Sequence, residues 1–292
     1  MAELIIVLGP TAVGKTDYSI DLALQCGSPV ISCDSRQIFK EMRIGTAQPT
    51  AEQLSRVKHY FIASRSVEEP YTAGLYELDA LALLDELFKT HDRLVMTGGS
   101  GLYIDALCDG LDAFPDVDSS IRESLVQRLE EEGLAPLRFE LQRLDPQTYA
   151  TIDLANRQRI VRALEVCIGT GRPFSSFKSH ERAQRPFAIT KIGLTRPREE
   201  LYSRIDLRVD QMIAEGLENE VRSLLPYRDL PALRTVGYSE MFDYLDGKIP
   251  FEEAVRLIKR NTRHYAKKQL SYWRRDPAIE WRNISCPSQR GI

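Results

Sequence analysis
Between Leu4 and Leu24 the chain prescribes a strand, a glycine turn and a helix in immediate succession. Leu4-Ile5-Ile6-Val7-Leu8 is a short apolar run of strand formers. Gly9-Pro10-Thr11-Ala12-Val13-Gly14-Lys15-Thr16 then fits G-x-x-x-x-G-K-[ST], and Thr16 to Leu24 carries helical periodicity. In that context the motif is a P-loop. Its glycines turn backbone N–H groups inward around a polyphosphate, and the helix N-terminus adds positive potential. Lys15 supplies a mobile cation, and the Thr16 hydroxyl is placed to hold Mg²⁺. A di- or triphosphate is the implied ligand; the motif does not say which reaction follows.

The stretch downstream keeps alternating. Pro29 to Cys33 reads as a second buried strand, Lys58 to Ile62 as a short third and Arg93 to Thr97 as another, with an amphipathic helix over Ala73 to Lys89. This alternation predicts an α/β fold, a P-loop NTPase-like doubly wound parallel sheet. From Ser119 to Gly171 the signals are helical only, and a strand returns at Ala188 to Leu194. The pattern predicts an inserted all-helical subdomain at 115–187 between two parts of the core, 1–114 and 188–292. From Pro197 onward the remainder reads as a helical C-terminal region.

Composition narrows the class. An apolar content of 43% and a charged content of 28% describe a soluble globular protein. No apolar run reaches the length of a membrane span, and no basic-then-apolar leader precedes the first strand, so a cytoplasmic protein is expected. Cys26, Cys33, Cys108, Cys167 and Cys286 are scattered, and His59, His91, His180 and His264 lie far apart. Reduced thiols and no metal cluster are expected.

Several residues carry candidate chemistry. Asp34 ends the second strand on the P-loop rim, where a carboxylate can act as a base or hold Mg²⁺; the alternative is a loop carboxylate capping a turn. The strand ending at Thr97-Gly98-Gly99 lacks the acid of a Walker B strand, which favours transfer chemistry or a polyphosphate other than ATP. Arg204 and Arg208 project from one helical face and suit a pyrophosphate, unless they pair with Glu200 or Asp206. Arg256, Lys259, Arg260, Arg263, Lys267, Lys268, Arg274 and Arg275 follow one another without an acid between Ala254 and Arg275, interleaved with Tyr265, Tyr272 and Trp273. Cations on phosphates and rings on bases make nucleic acid the indicated partner, against a merely solvated basic face. The rival readings are a small-molecule or nucleoside kinase, which leaves the basic aromatic segment unexplained, and a nucleic-acid-binding P-loop switch, which leaves Asp34 unexplained.

Six segments in order resemble the bacterial tRNA dimethylallyltransferases (tRNA isopentenyltransferases). They are Gly9–Thr16, Asp34–Pro49, Gly98–Tyr103, Arg159–Val166, Arg234–Tyr238 and Lys267–Arg274. The resemblance implies transfer of a dimethylallyl group from dimethylallyl diphosphate to N6 of adenosine 37. That base stands beside the anticodon of tRNAs reading codons that begin with U. It implies that Asp34 is the general base, that Gly9 to Thr16 cradles the diphosphate with Lys15 and Arg208, and that Thr16 faces Mg²⁺. It further implies tRNA contacts from Asp34, Ser35, Arg36, Gln37, Ser100, Arg122, Gln158, Arg159, Arg162, Arg234, Gly237, Tyr238, Lys267, Lys268, Gln269 and Arg274. Ser100 stands where other members carry threonine, which keeps the hydroxyl. The helical insertion is implied to be a mobile clamp on the anticodon stem-loop. A monomer is expected.

Overall fold
The computed structural model describes residues 2–178 and 182–285. His180 and Cys286 lie outside the described residues; Cys26, Cys33, Cys108 and Cys167 are free thiols. The chain divides into two compact units, Met1–Asp109 with Gln184–Ile292, and Gly110–Ala183.

The first unit begins with β1 (Glu3–Leu8), α1 (Lys15–Cys26), β2 (Val30–Ser32), α2 (Ala51–Arg56), β3 (His59–Tyr60), α3 (Ala73–Leu87), β4 (Arg93–Gly98) and α4 (Gly101–Asp109). The second unit holds α5 (Ser119–Glu131), α6 (Leu134–Leu144), α7 (Pro146–Thr151) and α8 (Arg157–Thr170). The chain then returns to the first unit with β5 (Ala188–Thr195), α9 (Arg198–Ala214), α10 (Leu217–Ser223), α11 (Tyr238–Leu245), α12 (Phe251–Trp273) and β6 (Ile279–Asn283).

The six strands pair in the order β3-β2-β4-β1-β5-β6, every pair parallel. β1 is central because its residues Leu4 to Leu8 are apolar on both faces and all buried; only a strand covered on both sides can be so. One face packs Leu4, Ile6 and Leu8 against Tyr76, Leu84, Ile104 and Trp273. The other packs Ile5 and Val7 against Leu22, Leu201 and Ile205. All carboxyl ends of a parallel sheet open on one rim, so the turns after β1, β2, β4 and β5 gather there. Two glycines allow the close approaches. A Cβ on Gly98 would stand 2.6 Å from the Cys33 carbonyl oxygen, and one on Gly9 2.7 Å from that of Leu194.

Two expectations need correction. The C-terminal region is not wholly helical, because Ile279–Asn283 adds β6 to the sheet edge, with Trp281 lying over Gly193. Its five residues are too few to show a clear alternation. The short helices α2, α7 and α11 were hidden by the turn-forming residues around them. The helical unit carries its own core of Leu125, Leu137, Leu141, Ile160 and Leu164, and it starts at Gly110 rather than at residue 115.

Candidate active site and nucleic-acid interface
The turn after β1 is held from outside by side chains of other elements. Gly9 and Gly14 have φ of 149° and 110°, and Ala12 is left-handed at 63°. Such a conformation in a residue with a Cβ persists only where the surroundings dictate it. Here Arg204 Nε donates to the Ala12 carbonyl at 2.8 Å and Arg196 Nε to that of Val13 at 2.7 Å. With those carbonyls turned outward, the amides at the start of α1 remain without intrahelical acceptors and face the rim.

Lys15 and Arg208 put cations on the inner side. Lys15 Nζ donates to the carbonyls of Gly9 at 2.9 Å and Pro10 at 3.0 Å. Burial lowers its pKa to about 8, against an upward pull from Asp34 and with a further downward push from Arg208. Arg208 Nη1 donates to Thr11 Oγ1 at 3.4 Å. Its pKa is lowered by burial and by the like charge of Arg204; a guanidinium still remains cationic at neutral pH. Neither Arg204 nor Arg208 takes up the alternative pairing, because Glu200 binds Arg196 and Asp206 binds Arg263. Crowding partly desolvated cations is unfavourable unless an anion joins them.

Asp34 lies across the same cavity. This cavity of about 160 Å³ is lined by Thr11, Ala12, Gly14, Lys15 and Thr16 of the loop, by Asp34, Arg36 and Gln37, by Thr97, and by Arg208. Asp34 Oδ1 accepts from the backbone N–H of Arg36 at 2.9 Å and of Gln37 at 3.2 Å. Among the described residues no donor takes Oδ2, which lies 3.6 Å from where a Cβ of Gly99 would stand. One oxygen therefore fixes the turn and the other remains available for a proton. Ser100 Oγ accepts from Ser35 N at 2.8 Å and donates to Ser35 Oγ at 3.0 Å, which ties the Asp34 turn to the end of β4. Gln37 Nε2 donates to the carbonyls of Thr46 at 3.1 Å and Ala47 at 2.9 Å.

A second, outer cavity of about 520 Å³ shares Gly14, Thr16, Ala47, Arg208 and Met212 with the inner one and adds Arg43, Arg204 and Gln211. The P-loop and Arg208 thus stand between a polar outer chamber and the Asp34 chamber. Apolar Val209, Met212, Val236 and Ile258 complete the inner wall. Sequence reasoning missed these four, since single apolar residues on helices read as core. It also missed Arg196, although the end of β5 on the ligand rim was a usable signal.

Three of the residues expected to touch tRNA, Gly237, Tyr238 and Gln269, are buried in this structure. Gln269 is 6% exposed; its Oε1 accepts from Thr11 N at 2.8 Å and its Nε2 donates to Gly99 O at 2.9 Å. Both ends of the amide are consumed in joining the P-loop to the turn after β4. Tyr238 is fully buried, with its hydroxyl 2.7 Å from Glu220 Oε1. Burial, and then Glu220, raise its pKa far above the usual tyrosine value. Gly237 is buried beside it and donates its N–H to Glu240 at 2.8 Å. Arg234 alone of that trio is exposed.

The basic run is partly neutralised in space. Arg256 pairs with Glu253, Lys259 with Asp210 at 2.6 Å, and Arg263 with Asp206. Lys267, Lys268, Arg274 and Arg275 are exposed, and no ion pair joins them among the described residues. Exposed Tyr265 stands among the inner cavity's lining residues. Within the helical unit Gln158 and Arg159 are exposed at the start of α8. Arg122 and Arg162 both bind Glu165, at 2.9 and 3.2 Å, and each keeps about half its side chain in solvent, 49% and 41%.

The sequence profile of the IPP transferase family matches residues 37–276. The chain is 53% identical over 278 residues to tRNA dimethylallyltransferase 2 of Porphyromonas gingivalis, covering 95% of this chain and 93% of that one. It is 50% identical over 281 residues to tRNA dimethylallyltransferase 2 of Parabacteroides distasonis, covering 96% and 94%. The crystal structure of the full-length tRNA isopentenylpyrophosphate transferase of Bacillus halodurans superposes with a TM-score of 0.71 at 36% identity, covering 97% of this chain and 90% of that one. A eukaryotic dimethylallyltransferase acting on tRNA gives a TM-score of 0.78 over 99% of this chain and 75% of that one; at 22% identity it speaks to the fold alone. With the profile spanning most of the chain and relatives at half identity over nearly all of it, this protein is a member of the IPP transferase family.

Proposed function
We propose that the protein transfers a dimethylallyl group from dimethylallyl diphosphate to N6 of adenosine 37 of tRNA, releasing diphosphate. The observation that carries this reading is one cavity with half-buried Lys15 and Arg208 beside the P-loop and a carboxylate, Asp34, across from them. A kinase would use the same loop. The names of the relatives and the exposed cations near the end of α12 favour RNA prenylation over it.

The chemistry follows from charge. As the allylic carbon–oxygen bond breaks, negative charge collects on the diphosphate. Preorganised amides, Lys15 and Arg208 stabilise it without reorganising. The adenine amine is a weak nucleophile because its lone pair is delocalised into the ring. Asp34 Oδ2 takes its proton as the new carbon–nitrogen bond forms. The target base must leave its stack to enter the inner cavity, at less cost from a loop than from a duplex. The residues around Thr16 fit Mg²⁺. Thr16 and Asp17 line the outer cavity beside the loop, with Asp17 Oδ1 accepting from Gln53 Nε2 at 2.7 Å, and this ion takes few protein ligands when phosphate oxygens and water complete its shell. When bound there it would add further charge stabilisation at the diphosphate.

Contacts to tRNA are proposed for Arg36, Arg234, Lys267, Lys268 and Arg274 of the first unit and, separately, for Arg122, Gln158, Arg159 and Arg162 of the helical unit. Replacing Lys267 and Lys268 by alanine is expected to weaken tRNA binding. The slope of log affinity against log salt should flatten by about 0.7–0.9 for each phosphate that the protein no longer neutralises. A titration series in increasing salt measures it; an unchanged slope would mean that both lysines face only solvent.

The function itself is tested by digesting tRNA after incubation with the protein and dimethylallyl diphosphate. Isopentenyladenosine is expected at position 37. Its absence, with the donor consumed only by hydrolysis, would refute the reading.

A further inference from the structure
Glu220, on α10, lies outside every motif that pointed to the site, yet its carboxylate holds Ile44, which lines the outer cavity, and Gly45, which lines the inner one. Oε2 accepts from the N–H of Ile44 at 2.7 Å, Oε1 from the N–H of Gly45 at 2.9 Å and from the Tyr238 hydroxyl at 2.7 Å. The segment it holds is a tight turn: Ala47 N bonds to Ile44 O at 2.9 Å, Gln48 N to Arg43 O at 3.1 Å, and Ala47 is left-handed at φ 51°. Tyr238 seals the contact, since a Cβ on Gly45 would fall 2.6 Å from its ring.

The other side of this turn is tied to the proposed base. Gln37 Nε2 binds Thr46 O and Ala47 O, while Gln48 Nε2 returns to the carbonyls of Gln37 at 3.0 Å and Phe39 at 2.8 Å. Gln37 N in turn donates to Asp34 Oδ1 at 3.2 Å. A continuous set of hydrogen bonds therefore runs from Glu220 through residues 44–48 and Gln37 to Asp34. A strained turn needs such over-determination to keep one shape. A carboxylate receiving two backbone amides together is a strong way to supply it.

We infer that Glu220 is a positioning residue for the transfer reaction. It touches neither donor nor RNA; it fixes the wall formed by residues 44–48 and, through Gln37, the angle at which Asp34 meets the adenine amine. The inference rests on the proposed function, and the test separates the two. Wild-type protein, Glu220→Gln, Gln37→Ala and the double variant are compared in single-turnover prenylation of an anticodon stem-loop RNA. Donor KM, RNA affinity and melting temperature are measured alongside. Glutamine keeps the shape but turns an NH₂ toward a backbone N–H.

The expected result is a fall in single-turnover rate of about tenfold or more for Glu220→Gln, with RNA affinity unchanged. The double variant should be little slower than the slower single variant, because the two act along one path. A folded Glu220→Gln that turns over like wild type overturns the inference, as does a double variant whose two losses multiply. Should Glu220→Gln fail to fold, Tyr238→Phe, which removes one bond to the same carboxylate, takes its place with the same criterion of non-additivity against Gln37→Ala. Inactivity of the wild-type protein would instead refute the proposed function.

Discussion

Asp34→Asn is expected to cut the single-turnover rate of prenyl transfer by about 10²–10⁴-fold, the range for removing a general base. The change isolates one atom. Asparagine keeps a carbonyl oxygen that can accept from the N–H groups of Arg36 and Gln37, so the turn built on Oδ1 survives. The other oxygen becomes an NH₂ group, which can accept no proton from an adenine amine. RNA affinity measured without donor should therefore stay within about twofold of wild type, since the missing interaction is made only in the transition state. Near-normal turnover in this variant would remove Asp34 from the role of base.

Lys15→Met should give the second largest effect, a loss of about 10²–10³-fold in kcat/KM for the donor, as for removal of one preorganised charge-stabilising donor. Methionine nearly preserves side-chain length and is compatible with the buried site, so the loss reports charge more than packing. The partly desolvated ammonium also gives a pH signature. Its pKa is lowered to about 8, so the charged form prevails below that pH and is lost as pH rises through it. An anionic diphosphate requires the charged form; kcat/KM for the donor is expected to decline above about pH 8 in the wild-type protein. Bound diphosphate favours the cation, so kcat should hold to higher pH than kcat/KM. The limb should vanish in Lys15→Met. A decline of the same steepness in the variant would assign the titration to another group.

The central part of this architecture was legible because its signals are local. A buried strand, the glycine turn and a helix start fall within one short stretch. The sheet rim then predicts that Asp34 stands beside the glycine turn. What was illegible depends on distance along the chain. Nothing near Gln269 indicates that its amide is consumed by Thr11, 258 residues away, or that Glu220 holds backbone 176 residues upstream. The basic run on α12 shows the same limit: Asp206 and Asp210 on α9 neutralise two of its cations, and only the fold brings them together. Arg204 and Arg208 fall on the opposite side of that limit. Their spacing announced a shared face, and folding set both guanidiniums on the P-loop, Arg204 on the Ala12 carbonyl and Arg208 on Thr11.

The fate of the donor's carbon skeleton decides between prenyl transfer and phosphoryl transfer. Dimethylallyl diphosphate labelled in the prenyl group is incubated with the protein and anticodon stem-loop RNA, beside a parallel reaction with γ-labelled ATP and no prenyl donor. The label is expected to move from donor to RNA, to depend on Asp34, and to leave unlabelled diphosphate in solution. Phosphate label appearing on a small metabolite while prenyl label never reaches the RNA would contradict prenyl transfer.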